Sequence, residues 1–261
     1  MIKTVRNLPI VRQYFKKKSN DIELSKFKNK LNHIPVFVLQ MGKVASSSIY
    51  SSLCNQYSGN VIHGHSFRIN NPDLKVRTLY KTYTSQNIPL KIITLVREPI
   101  GRNLSSFFQN FENNVGIKYE KSPYTIKEIY DLFINLANND YPLNWFDYQI
   151  QNNFGINVYK RAFPPEQGYD HFQNFDKKIE LLIMKYDLDD TLKEKLIREF
   201  LNLKDFNLIN TNISSSKVYS KMYNEIKQMK MPEVYIDRML NSRYAQHFYA
   251  NEIGKIRAKW S

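Results

Sequence analysis

One cysteine, Cys54, stands among 261 residues, so no internal disulfide framework supports this chain, and a reducing compartment suits it. Acidic residues are also scarce: 24 Asp and Glu face 38 Lys and Arg, a formal charge of +14. A field of that sign attracts phosphates, nucleic acid, anionic lipid or an anionic substrate, without choosing among them. The N-terminal stretch MIKTVRNLPIVRQYFKKKSN has no continuous apolar run of seven or more residues. It therefore reads as neither a secretory signal nor a membrane span, and the expected location is the cytoplasm. There is no internal repeat and no low-complexity tract. What the chain does have is 42% hydrophobic and 14% aromatic residues, enough to bury a sizeable core.

Residues 1–34 read as a basic N-terminal extension and 35–261 as a single α/β domain. In the extension, Ile10, Val11, Tyr14 and Phe15 mix with Arg12 and Lys16 to Lys18. That mixture could rest peripherally on an anionic membrane face. The plainer reading is a basic extension or a helix packed on the body.

Short apolar runs predict buried strands at Val36 to Gln40, Lys91 to Val96 and Ile179 to Met184, with Val61 to Ser66 a fourth and Ile156 to Lys160 a weaker fifth. Helical spacing predicts helices at Ser46 to Gln56, Pro99 to Asn110, Thr125 to Ala137, Leu143 to Gln151, Asp190 to Leu201 and Ser214 to Met229. A long C-terminal one follows from Pro232 to Lys259. The alternation implies a central, mainly parallel sheet flanked by helices in a three-layer sandwich, with ligands beyond the carboxyl ends of the strands. FPPEQGYDHF, Phe163 to Phe172, reads as a hairpin or loop near the cleft.

The chemistry concentrates at two strand ends. PVFVLQMGKVASSSIYSSL places Gly42, Lys43, Val44, Ala45 and the serines Ser46, Ser47 and Ser48 between a strand and a helix. Unpaired N–H groups at a helix start carry partial positive charge, the hydroxyls add donors and Lys43 adds a full charge, so a phosphate is the natural guest. It is not the nucleoside triphosphate loop G-x-x-x-x-G-K-[ST]: the first glycine is missing and Val44 stands where the magnesium-binding hydroxyl would be. The plain alternative for the serines is an N-cap cluster. REPIGRNLSSFF then puts Arg97 at a strand tip and Ser105 in the following helix, a fork and a hydroxyl suited to a second phosphate. The plain alternative for Arg97 is an ion pair with Glu98.

These residues resemble the sulfotransferases that use 3′-phosphoadenosine 5′-phosphosulfate (PAPS). Lys43 to Ser48 are similar to their 5′-phosphosulfate loop, and Arg97 with Ser105 to the pair holding the 3′-phosphate. More closely, GKVASSS, VREPIGRNLSSFF, NWFDYQI, HFYANEI and the terminal KWS resemble the bacterial capsular polysaccharide synthesis proteins of the NKWYS type. Gly42 replaces the usual proline, and the terminal motif lacks its tyrosine. The resemblance implies a P-loop-like sulfotransferase fold and PAPS as donor with no metal required. It also implies a carbohydrate acceptor, a capsular or cell-surface polysaccharide or its precursor, and no nucleic acid partner. In VIHGHSF the two histidines alternate on one face of a strand. The segment resembles the His-Gly-His of uronosyl 2-O-sulfotransferases, which implies His65 as the base, with His63 second. A structural histidine is the plain alternative. Lys217 in TNISSSKVYSK is, by chain position, the candidate for a loop over the nucleotide. Two other classes stay open: a nucleotide-dependent kinase, for which Asp187 is the one tempting metal-binding acid, and a non-enzymatic basic module for nucleic acid or anionic lipid.

Overall fold

The computed structural model describes residues 9–136, 139–209 and 218–261. A five-stranded sheet in the order β2-β1-β3-β5-β4 forms the centre, flanked by helices. Strands β1 (Val36–Leu39), β2 (Val61–Gly64), β3 (Leu90–Val96) and β5 (Ile179–Lys185) run parallel, and β4 (Tyr169–Gln173) pairs antiparallel with β5 at one edge. Strands β1, β3 and β5 are nearly all apolar because both faces of a parallel sheet are covered.

Helix α1 (Pro9–Lys28) precedes the sheet, buries Phe27 and lies against α3 (Leu74–Gln86). The Asn60 side chain ties the Phe27 carbonyl to the start of β2 at 2.8 Å. Helix α2 (Ser46–Gln56) joins β1 to β2, and α3, capped by Asp73, joins β2 to β3. Helix α4 (Pro99–Gln109) follows β3, with Pro99 in its first turn and Glu98 accepting from the Gly101 N–H at 2.8 Å. The chain continues through α5 (Phe111–Val115), α6 (Ile126–Leu136) and α7 (Tyr141–Phe146), which runs on through a π turn at Asp147–Gln151 and a last turn at Asn152–Phe154. After the sheet come α8 (Asp190–Leu201), α9 (Ser220–Lys227), α10 (Glu233–Leu240), α11 (Arg243–Phe248) and α12 (Ile253–Trp260).

Three expectations need correction. Ile156 to Lys160 is not a strand: Val158–Lys160 is a single 3-10 turn, with Ile156 and Val158 buried from irregular backbone. The fifth strand is instead β4, which begins inside the segment read as a hairpin or loop and runs one residue past it. The C-terminal helix is broken into α10, α11 and α12: Ser242 starts α11 by accepting from the Ala245 N–H at 3.2 Å, and a 3-10 turn at Ala250–Glu252 separates α11 from α12. Helix α3 was not foreseen, and the first residues of the stretch expected at Ser214 to Met229 lie outside the described residues.

From β1 the chain turns to one side, to β2, and from β3 to the other, to β5. Such a divergence opens a crevice at the carboxyl ends of the two central strands. No described helix is long and apolar enough to cross a membrane.

Candidate functional site

A cleft of about 910 Å³ occupies that crevice. Its walls are the loop after β1, the end of β2, the first three turns of α4, and Asn139 and Tyr141 leading into α7. The lining includes Lys43, Arg97 and Arg102 and both histidines, and no carboxylate among the described residues. Such a wall favours an anion.

Where β1 stops, Gln40 takes over from the ladder. Fully buried, it donates from Nε2 to the Ile93 carbonyl at 3.1 Å and accepts from the Leu95 N–H at 2.9 Å, welding the loop's base to β3. Beyond it the backbone turns left-handed at Gly42 (φ 82°), Lys43 (φ 64°) and Ala45 (φ 60°). Two of the three are not glycine, a strain that a fold keeps only where the surroundings impose it.

The surroundings here are four donors. The carbonyl of Gln40 accepts from His65 Nδ1 at 3.0 Å, that of Met41 from Arg102 Nη2 at 2.6 Å, that of Gly42 from Arg102 Nε at 3.3 Å, and that of Lys43 from Arg97 Nη1 at 3.1 Å. Four consecutive carbonyl oxygens are thus occupied by side chains of the cleft wall, and an incoming anion meets cations and hydroxyls instead of lone pairs. At the start of α2 the N-cap position is Ala45, which makes no side-chain cap bond. The serine row is therefore not serving as the N-cap.

The sequence candidates distribute as follows. Gly42, Lys43, Ala45, Ser46, Ser47, His63, His65, Arg97 and Ser105 all line the one cleft. Val44 instead buries its side chain in the core, and Ser48 lies outside the lining, its carbonyl accepting from Ser52 Oγ at 2.7 Å. Lys43 Nζ reaches Gln109 Oε1 at 3.2 Å. Lys217 lies outside the described residues. Asp187 is exposed and is not part of the cleft wall. Among the described residues no group of three or more His, Cys, Asp or Glu is arranged to hold a metal ion.

Arg97 makes no ion pair with Glu98 among the described residues; Glu98 spends one oxygen on the helix cap, and its nearest cation is Lys259 at 3.9 Å. Arg97 instead lies over the Tyr186 ring at 5.0 Å, and its buried Nε has no hydrogen-bond partner among the described residues. The Tyr244 hydroxyl holds the Arg97 backbone, donating to its carbonyl at 2.9 Å.

The two histidines differ. His63 Nε2 lies 3.1 Å from Ser46 Oγ; burial, and then the neighbouring His65, push its pKa down to about 4. His65 is exposed, its ring 5.4 Å from that of His63. Because a carbonyl only accepts, Nδ1 of His65 is the donor in that bond, which leaves Nε2 as the ring nitrogen for any other partner.

Sequence reasoning overlooked Arg102 and Tyr141. Arg102 is 5% exposed, its plane 5.0 Å from the Tyr141 ring, and burial pushes its pKa down to about 10. It stands in REPIGRNLSSFF, but its partners are some 60 residues earlier, a relation no local pattern reveals. Trp145 and Phe146 are buried core, as their helical spacing suggests, while Tyr148 is exposed.

A comparison with protein families matches residues 114–250, just over half of the chain, to NKWYS, described as "Putative capsular polysaccharide synthesis protein". The chain belongs to this family. No curated protein and no solved structure gives a significant match. The NKWYS segment contributes Asn114, Asn139 and Tyr141 to the cleft wall and Tyr244 to the support of Arg97. The loop after β1, both histidines, Arg97, Arg102 and Ser105 precede it.

Proposed function

We propose that the protein transfers a sulfuryl group from PAPS to a carbohydrate hydroxyl, that of a capsular or cell-surface polysaccharide or its precursor. The observation that carries this reading is a cleft without carboxylates among its described lining residues, with two groups of candidate anion donors on its wall: the loop Gly42 to Ser47, and Arg97 with Ser105. A donor phosphorylated at both its 5′ and 3′ ends needs two such places. Family membership supports the saccharide acceptor.

In the reaction the acceptor oxygen attacks sulfur, the bond between sulfur and the bridging oxygen breaks, and its electron pair leaves with the 5′-phosphate as adenosine 3′,5′-bisphosphate. The hydroxyl proton passes to Nε2 of His65. Lys43 and the start of α2 offset the charge gathering on the leaving phosphate, a contribution greater in the transition state than in the ground state. Half-buried His63, its Nε2 3.1 Å from Ser46 Oγ, orients that hydroxyl at the loop.

The deciding experiment is thermal shift with adenosine 3′,5′-bisphosphate against ADP and AMP, since a ligand of the native state raises its stability by mass action. Stabilisation by the bisphosphate at lower concentrations than by the other two is expected. Equal response to all three overturns the reading.

A further inference from the structure

Arg102 is a buried cation without a counter-ion. None of the ion pairs among the described residues includes it. Its nitrogens go to two main-chain oxygens and to Asn103 Oδ1 at 3.0 Å, and its plane goes to the Tyr141 ring. All of these partners are neutral. A buried charge without an opposite charge is costly, and nature ordinarily supplies a carboxylate. Here the space facing it is the cleft: a Cβ placed on Gly42 would lie 3.9 Å from Arg102 Nη2.

We propose that Arg102 is the positioning residue for the anion: it holds the carbonyls of Met41 and Gly42 out of the anion's way, and the bound anion is the counter-charge the fold withholds. The identity of that anion rests on the sulfuryl-transfer reading; the role of Arg102 does not. Tyr141 extends the same device towards the base, since its ring covers the guanidinium and its hydroxyl donates to the His65 carbonyl at 3.4 Å. Loop, buried cation and histidine are thereby held in one piece.

Two variants test this from opposite directions. Arg102→Lys keeps a charge but cannot span both carbonyls. Asn103→Asp keeps the guanidinium and gives it the carboxylate it lacks, at the cost of the bond the Asn103 amide donates to the Asn139 carbonyl at 2.8 Å. Affinities for inorganic pyrophosphate and for adenosine 3′,5′-bisphosphate are measured by calorimetry on folded protein, with the ligand-free melting temperature alongside. Both variants are expected to lose about tenfold or more in affinity for both probes, and the donor KM to rise while the acceptor KM holds. A purely structural arginine would lower the melting temperature and leave the affinity of the folded fraction unchanged. Affinities within about twofold of wild type in Asn103→Asp overturn the proposal, as does a wild-type protein that binds neither probe. If wild type binds pyrophosphate but does not prefer the bisphosphate over ADP, the sulfuryl-transfer reading fails and the Arg102 result still stands.

Discussion

The imidazole Nδ1 of His65 donates to the main-chain oxygen of Gln40 at 3.0 Å, which anchors the ring to the end of β1 and leaves Nε2 as the ring nitrogen for any other partner. His63, two residues earlier, has its Nε2 against Ser46 and a pKa too low for a neutral-pH base. The two histidines of one strand end therefore stand in different environments.

His65→Ala should abolish transfer, with adenosine 3′,5′-bisphosphate affinity nearly unchanged, because the proposed role of His65 is on the acceptor. General-base catalysis is typically worth about 10²–10⁴-fold. His63→Ala should be milder. Single-turnover sulfate transfer and calorimetry on both variants decide it; a near wild-type rate in His65→Ala with His63→Ala inactive would reverse the roles.

Lys43→Ala should lower turnover far more than it weakens nucleotide binding, because its charge counts most as the bridging bond breaks. Equal losses in the rate constant and in donor affinity would make Lys43 a binding residue only.

Arg97→Ala should remove the preference for adenosine 3′,5′-bisphosphate over AMP while the fold persists. Loss of charge-assisted bonds costs about 1.5–3 kcal/mol each. Competition binding with the two nucleotides reads the preference directly, and a preference that survives would move the 3′-phosphate contact elsewhere in the cleft.

Acid should destabilise the protein through His63. Its folded pKa of about 4 lies below the 6.5 of an unfolded histidine, so between those values the unfolded chain binds the extra proton. The stabilisation is complete above about pH 6.5 and is lost as the pH falls towards 4, on the order of 2–3 kcal/mol. His247, also held near 4 by burial, adds a change of the same sign. Urea unfolding at successive pH values should show a shallower decline in His63→Asn than in wild type; an identical slope would mean that His63 is not buried as a neutral group.

Strands β1, β3 and β5 were legible as continuous apolar runs, and α2 and α8 end where the residue spacing puts them. Strand β4 was not, since an edge strand carrying Asp170 and His171 has no apolar run to display. The break between α10 and α11 was hidden because a helical period continues across Ser242, and the cap that stops it is a side-chain choice made on folding.

Local patterns in the chain were enough to place a glycine, lysine and serine turn after β1 and a basic strand tip after β3, because strand ends and helix starts are written in a few consecutive residues. Only the tertiary structure put Arg102 under that loop, Tyr141 over Arg102, and His65 against Gln40. Those contacts join residues 25 to 61 positions apart, and they exist because β1 lies between β2 and β3, which brings the ends of three strands to one crevice.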